Sequence, residues 1–358
     1  MYGTSKRFEL KGWNMRRVKF SLSLVAAIAL LAVVVGVVAG RATSAGASGS
    51  SGGNGGKTAG KRIDVIIKAS DSSFWQTMLA GAKQAGGDYG LKVSLFGPTS
   101  ETDVAQQVQL VENSISRGAD GIVLAPNSSS ALNNVIDRAR KAGIKVVVVD
   151  TQVTTVTDGF IGTDNTKAAE QGGRSLCELA KAAGKTSGDV LVESSVAGVQ
   201  VLKDRETGFR NGLAEGCPDL KITGPRYNNN DINTATSQVN DTLTANPNLV
   251  AVFAANNTSG DGTARAIKDN KAADRVPVVS FDTDPQQVAA LGDGTLDALV
   301  VQNPYFFGYQ GVVAAGMATV GTIPPRNLDP GAVLATTKTM NDPEIKILLT
   351  PPTVTAEK

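Results

Sequence analysis

The sequence predicts an α/β protein of two doubly wound parallel-sheet lobes, and three observations lead there. Short β-branched runs alternate with amphipathic segments from residue 62 onward, the order that builds parallel strands joined by helical crossovers. Residues 146–149 are four consecutive valines, which suits a strand covered on both faces. Finally, "GIVLAPNSSSALNNVIDRARKAGIKVVVVDT" (121–151) parallels "VAVFAANNTSGDGTARAIKDNKAADRVPVVSFDT" (250–283). Each reads strand, Pro or Ala, Asn, polar cluster, helix, strand, Asp, Thr, so one plan occurs twice.

The elements follow in chain order. Residues 1–41 hold seven basic residues and one acid, a net +6; the remainder holds 28 basic and 32 acidic residues, a net −4. A mildly acidic body has no electrostatic footprint for nucleic acid, and none is expected as a partner. Residues 20–40 form an almost uninterrupted apolar run with six basic residues ahead of it and Ala45-Gly46-Ala47 behind it. That order is an export signal's, yet the run is long enough to span a bilayer. Residues 1–47 therefore read as a signal peptide or an uncleaved N-terminal membrane anchor, with the body extracytoplasmic, periplasmic or at the cell surface. No cysteine follows the run to carry a lipid. Residues 48–60 are rich in Gly and Ser and read as a flexible tether.

Strands are expected at 62–69, 91–96, 121–125 and 144–150, then at 189–194, 221–226, 249–255, 277–282 and 296–302. Gly90, Gly118 and Gly143 each stand between a helix pattern and the next strand, as helix-ending glycines do. The first lobe is expected over 61–160, with a crossing in the vicinity of 285–304 and a return at about 305–325. The second is expected over 161–300, with about 330–345 added. Export permits a disulfide; Cys177 and Cys217 either form it or stand as two separate buried thiols.

The chain has no histidine. That removes Ser-His-Asp triads, Cys-His dyads and every His-ligated metal site, and two cysteines make no zinc cluster. No metal and no cofactor is expected. "GKT" at 184–186 follows a helix pattern and lacks the earlier glycine of a phosphate loop, so it is set aside. Open parallel sheets bind ligands beyond the carboxyl ends of their strands. The first lobe offers Asp71, Ser72, Phe74, Trp75, Asn127 and Asp150 there; the second offers Ser194, Asn256, Asn257, Asp282 and Gln302, with Arg205 nearby. Short polar groups of this kind grip hydroxyls, and Phe and Trp offer a flat face to C–H bonds. The set suits a small neutral sugar or polyol. Single Asp or Asn residues at strand ends also cap helices, and an Asp150/Asp282 acid–base pair would instead suit glycoside hydrolysis.

These residues resemble the ribose-binding family of periplasmic-type, sugar-specific solute-binding proteins, with LacI-like lobes. The resemblance covers about 62–340 and rests on "SSFWQTMLAGAKQ", "ADGIVLAPNSSSAL", "IKVVVVDT", "FIGTDN", "KDRETGFRNGL", "NPNLVAVFAANN", "VPVVSFDTDP" and "LDALVVQNP". It implies a type I periplasmic binding protein fold with a three-segment hinge, near 152–166, 284–304 and 323–335. It implies a monomer that is not an enzyme and that delivers its solute to an ABC transporter permease; a sugar-sensing ectodomain is the alternative. On the family's pattern Phe74 and Trp75 are the stacking pair, Asp150 the first-lobe aspartate, Arg205 the second-lobe arginine, and Asn256, Asp282 and Gln302 its polar set. Ser72, Ala125, Thr151 and Asn230 depart from the pattern, which points away from ribose itself toward another sugar, a deoxysugar or a polyol.

Overall fold

The computed structural model describes residues 55–354. The signal or anchor segment lies outside them, and among the described residues no helix is long and apolar enough to cross a membrane. The tether expected through residue 60 gives way to a helical turn, α1 (Gly55–Thr58). The Gly60 N–H then donates to the Gly90 carbonyl at 2.8 Å, which fixes the chain as it enters the first strand.

The first lobe alternates β1 (Arg62–Ile66), α2 (Ser73–Tyr89), β2 (Lys92–Phe96), α3 (Val104–Ser116), β3 (Gly121–Leu124), α4 (Asn133–Lys141), β4 (Lys145–Val149) and β5 (Gly159–Ile161). Its sheet is parallel throughout, in the order β2-β1-β3-β4-β5. The second lobe continues with α5 (Asn165–Ala182), β6 (Gly188–Ser194), α6 (Gln200–Gly216), β7 (Leu220–Tyr227), α7 (Ile232–Ala245), β8 (Leu249–Ala254), α8 (Asn257–Asp269), β9 (Val278–Phe281), α9 (Pro285–Gly292) and β10 (Ala298–Val301). The chain returns to the first lobe for α10 (Pro304–Thr319). It closes in the second with β11 (Val333–Thr336) and α11 (Pro343–Leu349). That sheet runs β11-β10-β9-β8-β6-β7, with β11 alone antiparallel. Beyond α11 the tail comes back once more, and the Val354 N–H donates to the Gln76 carbonyl on α2 at 3.3 Å.

The valine run of β4 shows why its strand does not alternate with polar residues. Val147 and Val149 pack with Ile63, Val65, Met78 and Phe307 under α2 and α10. Val146 and Val148 pack with Ile122, Leu124, Val111 and Ile136 under α3 and α4. Successive side chains point to opposite faces, and both faces are covered. The second sheet has the same two apolar layers, one around Phe209, Phe253 and Phe281 and one around Ile267, Leu291 and Leu299.

In each lobe, helices meet backbone to backbone. A Cβ built on Gly308 of α10 would stand 1.8 Å from the Met78 carbonyl oxygen of α2. One built on Gly208 of α6 would stand 2.1 Å from the Thr166 carbonyl oxygen of α5. Only glycine lets the axes come that close. The α5–α6 pair is also cross-linked, because Cys177 and Cys217 form a disulfide with their Cα atoms 5.7 Å apart.

Candidate functional site

The loops after the strands of the two sheets face each other across one cavity. Its free volume is small, about 30 Å³, so the lobes stand close together over it. The first lobe contributes Lys68, Phe74, Trp75, Glu101 and Asp150. The second contributes Ser195, Val199, Val201, Leu202, Arg205, Asn256, Asn257, Asp282 and Gln302.

Phe74 and Trp75 stand in the first turn of α2, their rings edge to face with centroids 4.8 Å apart. A buried indole N–H needs an acceptor, and Trp75 Nε1 donates to Glu101 Oε1 at 2.7 Å. Burial raises the Glu101 carboxyl above its ordinary range, with Lys68 pulling the other way. Lys68, which continues the β1 strand, places Nζ 2.6 Å from Asp150 Oδ2 and donates to Thr151 Oγ1 at 2.7 Å. It also lies 5.3 Å from the Trp75 ring centroid. Thr151 stands where the family pattern often has arginine; Lys68 restores a cation beside Asp150 from the end of β1, across the intervening β3. The turn that carries Lys68 is braced from below. Buried Gln107 donates to the carbonyls of Ile67 and Ala125 and accepts from the Asn127 N–H.

The second lobe repeats the device. Asp282 follows β9 as Asp150 follows β4, and both have left-handed backbones, φ 76° and 62°. Asp and Asn tolerate that conformation better than other side chains, and the turn aims each carboxylate off the end of its sheet. Asp282 Oδ1 accepts from Gln302 Nε2 at 2.7 Å, and Oδ2 accepts from the Asn257 N–H at 3.1 Å. Arg205 Nη1 lies 3.9 Å from Oδ2. Burial raises the Asp282 carboxyl to about 6, against the pull of Arg205 and Gln302. Arg205 is itself held by Asn165 Oδ1, at 2.7 Å, and by the Ala255 carbonyl, at 2.8 Å, over the Phe281 ring. Gln302 Oε1 is buried and has no hydrogen-bond partner among the described residues, which leaves an acceptor for a hydroxyl.

Of the residues expected from the sequence, Phe74, Trp75, Asp150, Arg205, Asn256, Asn257, Asp282 and Gln302 share this cavity. Asp71 is exposed and is not among its walls. Nor are Asn127 and Ser194. Asn127 Nδ2 donates to the Lys68 carbonyl at 3.3 Å, and Ser194 Oγ pairs with Glu206 at 3.0 Å. Ser72 joins the lobes instead: its Oγ accepts from Asn257 Nδ2 at 3.2 Å. Asn257 also donates to Asp284, which accepts a short bond from Ser73. Asn256 both lines the cavity and caps α8 by accepting from the Ser259 N–H, so capping and site residue are not exclusive. Lys68 and Glu101 escape a sequence reading. Lys68 ends a strand-like run, and Glu101 sits in "GPTSETD", which has no periodicity. The need of Trp75 for an acceptor is the signal that points to Glu101.

Behind the cavity, Glu193 is fully buried at the end of β6. It accepts from Asn228 Nδ2 at 3.0 Å, and burial lifts its carboxyl to about 8. Burial and then the nearby Asp284 lift Asp261 to about 7. Both acids hold their protons more tightly in the folded chain. Such groups stabilise fully below their ordinary values, 4.5 and 3.8, and that stability is lost as pH rises through the folded values. The melting temperature is expected to fall from about pH 5 to about 9, and Glu193→Gln is expected to flatten the upper part of the fall. A flat profile in the parent chain contradicts this.

A family profile described as periplasmic binding protein domain matches residues 63–322. The chain belongs to that family. This periplasmic binding protein is 28% identical over 256 residues to the D-allose-binding periplasmic protein of Escherichia coli, covering 69% of this chain and 81% of that one. It superposes on a carbohydrate transporter solute-binding protein of Agrobacterium radiobacter in complex with D-arabinose: TM-score 0.79, 35% identity, covering 82% of this chain and 99% of that one. A second match is an ABC transporter solute-binding protein of Agrobacterium vitis with bound D-fucose: TM-score 0.77, 32% identity, covering 81% and 100%.

Proposed function

We propose that this periplasmic binding protein is the extracytoplasmic sugar-binding component of an ABC importer, closing its lobes over a neutral monosaccharide or polyol and presenting the closed form to a permease. The observation that carries it is the pair of matched devices in one cavity, Lys68–Asp150 from one lobe and Arg205–Asp282 from the other, beside the Phe74–Trp75 wall. Each carboxylate already has a cation, so a charged ligand gains little, while hydroxyls find both donors and acceptors. The same pairing speaks against hydrolysis, which needs a free acid and base. The relatives that hold D-arabinose and D-fucose support the ligand class. The basic residues and apolar run within residues 1–47 fit delivery outside the cytoplasm, secreted or anchored.

Opening at the crossings after Ile161, Val301 and Leu328 would separate Ser72 from Asn257 and Ser73 from Asp284. A ligand that touches both lobes favours the closed form by its differential affinity. The test is a thermal-shift screen of neutral sugars, polyols and amino acids. Ligand at a hundred times its Kd adds about 2.7 kcal/mol, a shift of about 5 °C. A sugar is expected to give it and amino acids none. Trp75→Ala is expected to abolish the shift; a variant that keeps it has lost no stacking wall.

A further inference from the structure

The lobes are joined by chain crossings after Ile161, Val301 and Leu328, and the C-terminal tail makes a fourth link. Leu349, the last residue of α11, is 4% exposed and belongs to the second-lobe layer that holds Ile267, Leu291 and Leu299. Five residues later Val354, half-buried, packs against the first-lobe layer that holds Met78 and Phe307. Its N–H donates to the Gln76 carbonyl at 3.3 Å. Between these anchors stand Thr350, Pro351, Pro352 and Thr353. Consecutive prolines fix φ and make a semi-rigid, extended spacer. Thr350, Pro351 and Thr353 wall a cavity at the seam together with Ser73 and Phe74 of the first lobe and Val288 of the second.

Gln76 follows Ser73 by three residues on α2, and Ser73 bonds Asp284 across the seam. A motion that parts Ser73 from Asp284 carries Gln76 away from the lobe in which Leu349 is anchored. Resting on the lobe-closing reading above, we propose that residues 350–354 are a strap that holds the ligand-free lobes together, with Val354 as its catch. Opening releases Val354, which exposes its side chain and its N–H to water. The strap therefore weights the closed form before any ligand arrives, by about five- to tenfold. Apparent affinity scales with the fraction of chains that are closed, so the tail is a positioning segment for binding although it touches no ligand.

Trp75 is the reporter. It is 3% exposed and lines the cavity between the lobes, and it is not among the residues that wall the cavities beside the tail. The chain's other tryptophan, Trp13, is removed as Trp13→Phe. Acrylamide quenching is then measured without ligand on the full chain, on a chain ended at Thr350, and on Val354→Asp and Val354→Ile. Ending the chain and Val354→Asp are each expected to raise the quenching constant at least twofold. Val354→Ile, which keeps the apolar contact, is expected to leave it unchanged. Thermal melts of the same samples show that the variants are folded. Folded chains that lack the tail or carry Val354→Asp and quench like the parent overturn the strap, as does Val354→Ile if it quenches like Val354→Asp. No sugar enters the measurement, so failure here leaves the sugar-binding reading standing, and a silent sugar screen leaves the strap standing.

Discussion

Asp282→Asn is expected to weaken sugar binding about a hundredfold while leaving the fold intact. The carboxylate is the centre of the second lobe's grip, touched by Gln302, by the Asn257 N–H and, more distantly, by Arg205. Hydrogen bonds from a charged group are worth about 1.5–3 kcal/mol, and an amide offers one acceptor where the carboxylate offers two. Asparagine is the informative replacement because the backbone there is left-handed, which asparagine tolerates and alanine does not. Burial already raises the pKa of this carboxyl, so the folded chain carries a cost for the charge. Removing that cost is expected to hold or raise the melting temperature even as affinity falls. Site residues commonly show this opposition of stability and function. Calorimetric titration and thermal melting of one sample read both quantities. Unchanged affinity would remove Asp282 from the ligand's contacts.

Gly308→Ala is expected to be the most damaging single-methyl change in the first lobe. The added carbon would lie 1.8 Å from the Met78 oxygen, 2.8 Å from its carbonyl carbon and 3.0 Å from the Ala82 nitrogen. These are backbone atoms, so no rotamer relieves the clash and α10 must move off α2. Alanine's better helix propensity returns about 1 kcal/mol. Separating a packed helix pair costs about 3 kcal/mol or more, so the loss dominates. Gly87, on the same α2, has nothing within 4 Å of its built Cβ. Gly87→Ala is accordingly expected to gain up to about 1 kcal/mol. Denaturant melts of the two variants should move in opposite directions, and a Gly308→Ala chain as stable as its parent would mean the helices are not in backbone contact.

The sequence foretold buried geometry better than contact geometry. The β3, β4, β8 and β10 strands announce themselves because both faces are covered and the runs stay apolar, and β1 and β9 do so with a polar residue or two inside the run. The edge strands β5 and β11 do not, since three or four residues of mixed burial carry no period. Asp150 and Asp282 were legible because the same strand–Asp–Thr phrase occurs twice, and the left-handed turn explains why an aspartate is tolerated there. Lys68 was not legible. Its partner Asp150 lies 82 positions away, and strand order, not chain order, brings them together. Asn127 and Asp71 show the converse: a polar residue just past a strand is near a site without reaching it. Ser72, expected from its position at the ligand, bridges the lobes through Asn257.

The cross-link between Cys177 and Cys217 uses both of the chain's sulfhydryls. An introduced thiol would then be the only one available to a maleimide dye, with no native cysteine to remove first. Thr353 is an exposed position on the returning tail, next to Val354 and its contact with Gln76, and it borders the seam between the lobes. A fluorophore attached through Thr353→Cys would sit at the moving joint and outside the sugar cavity, turning the molecule into an optical gauge of its own closure.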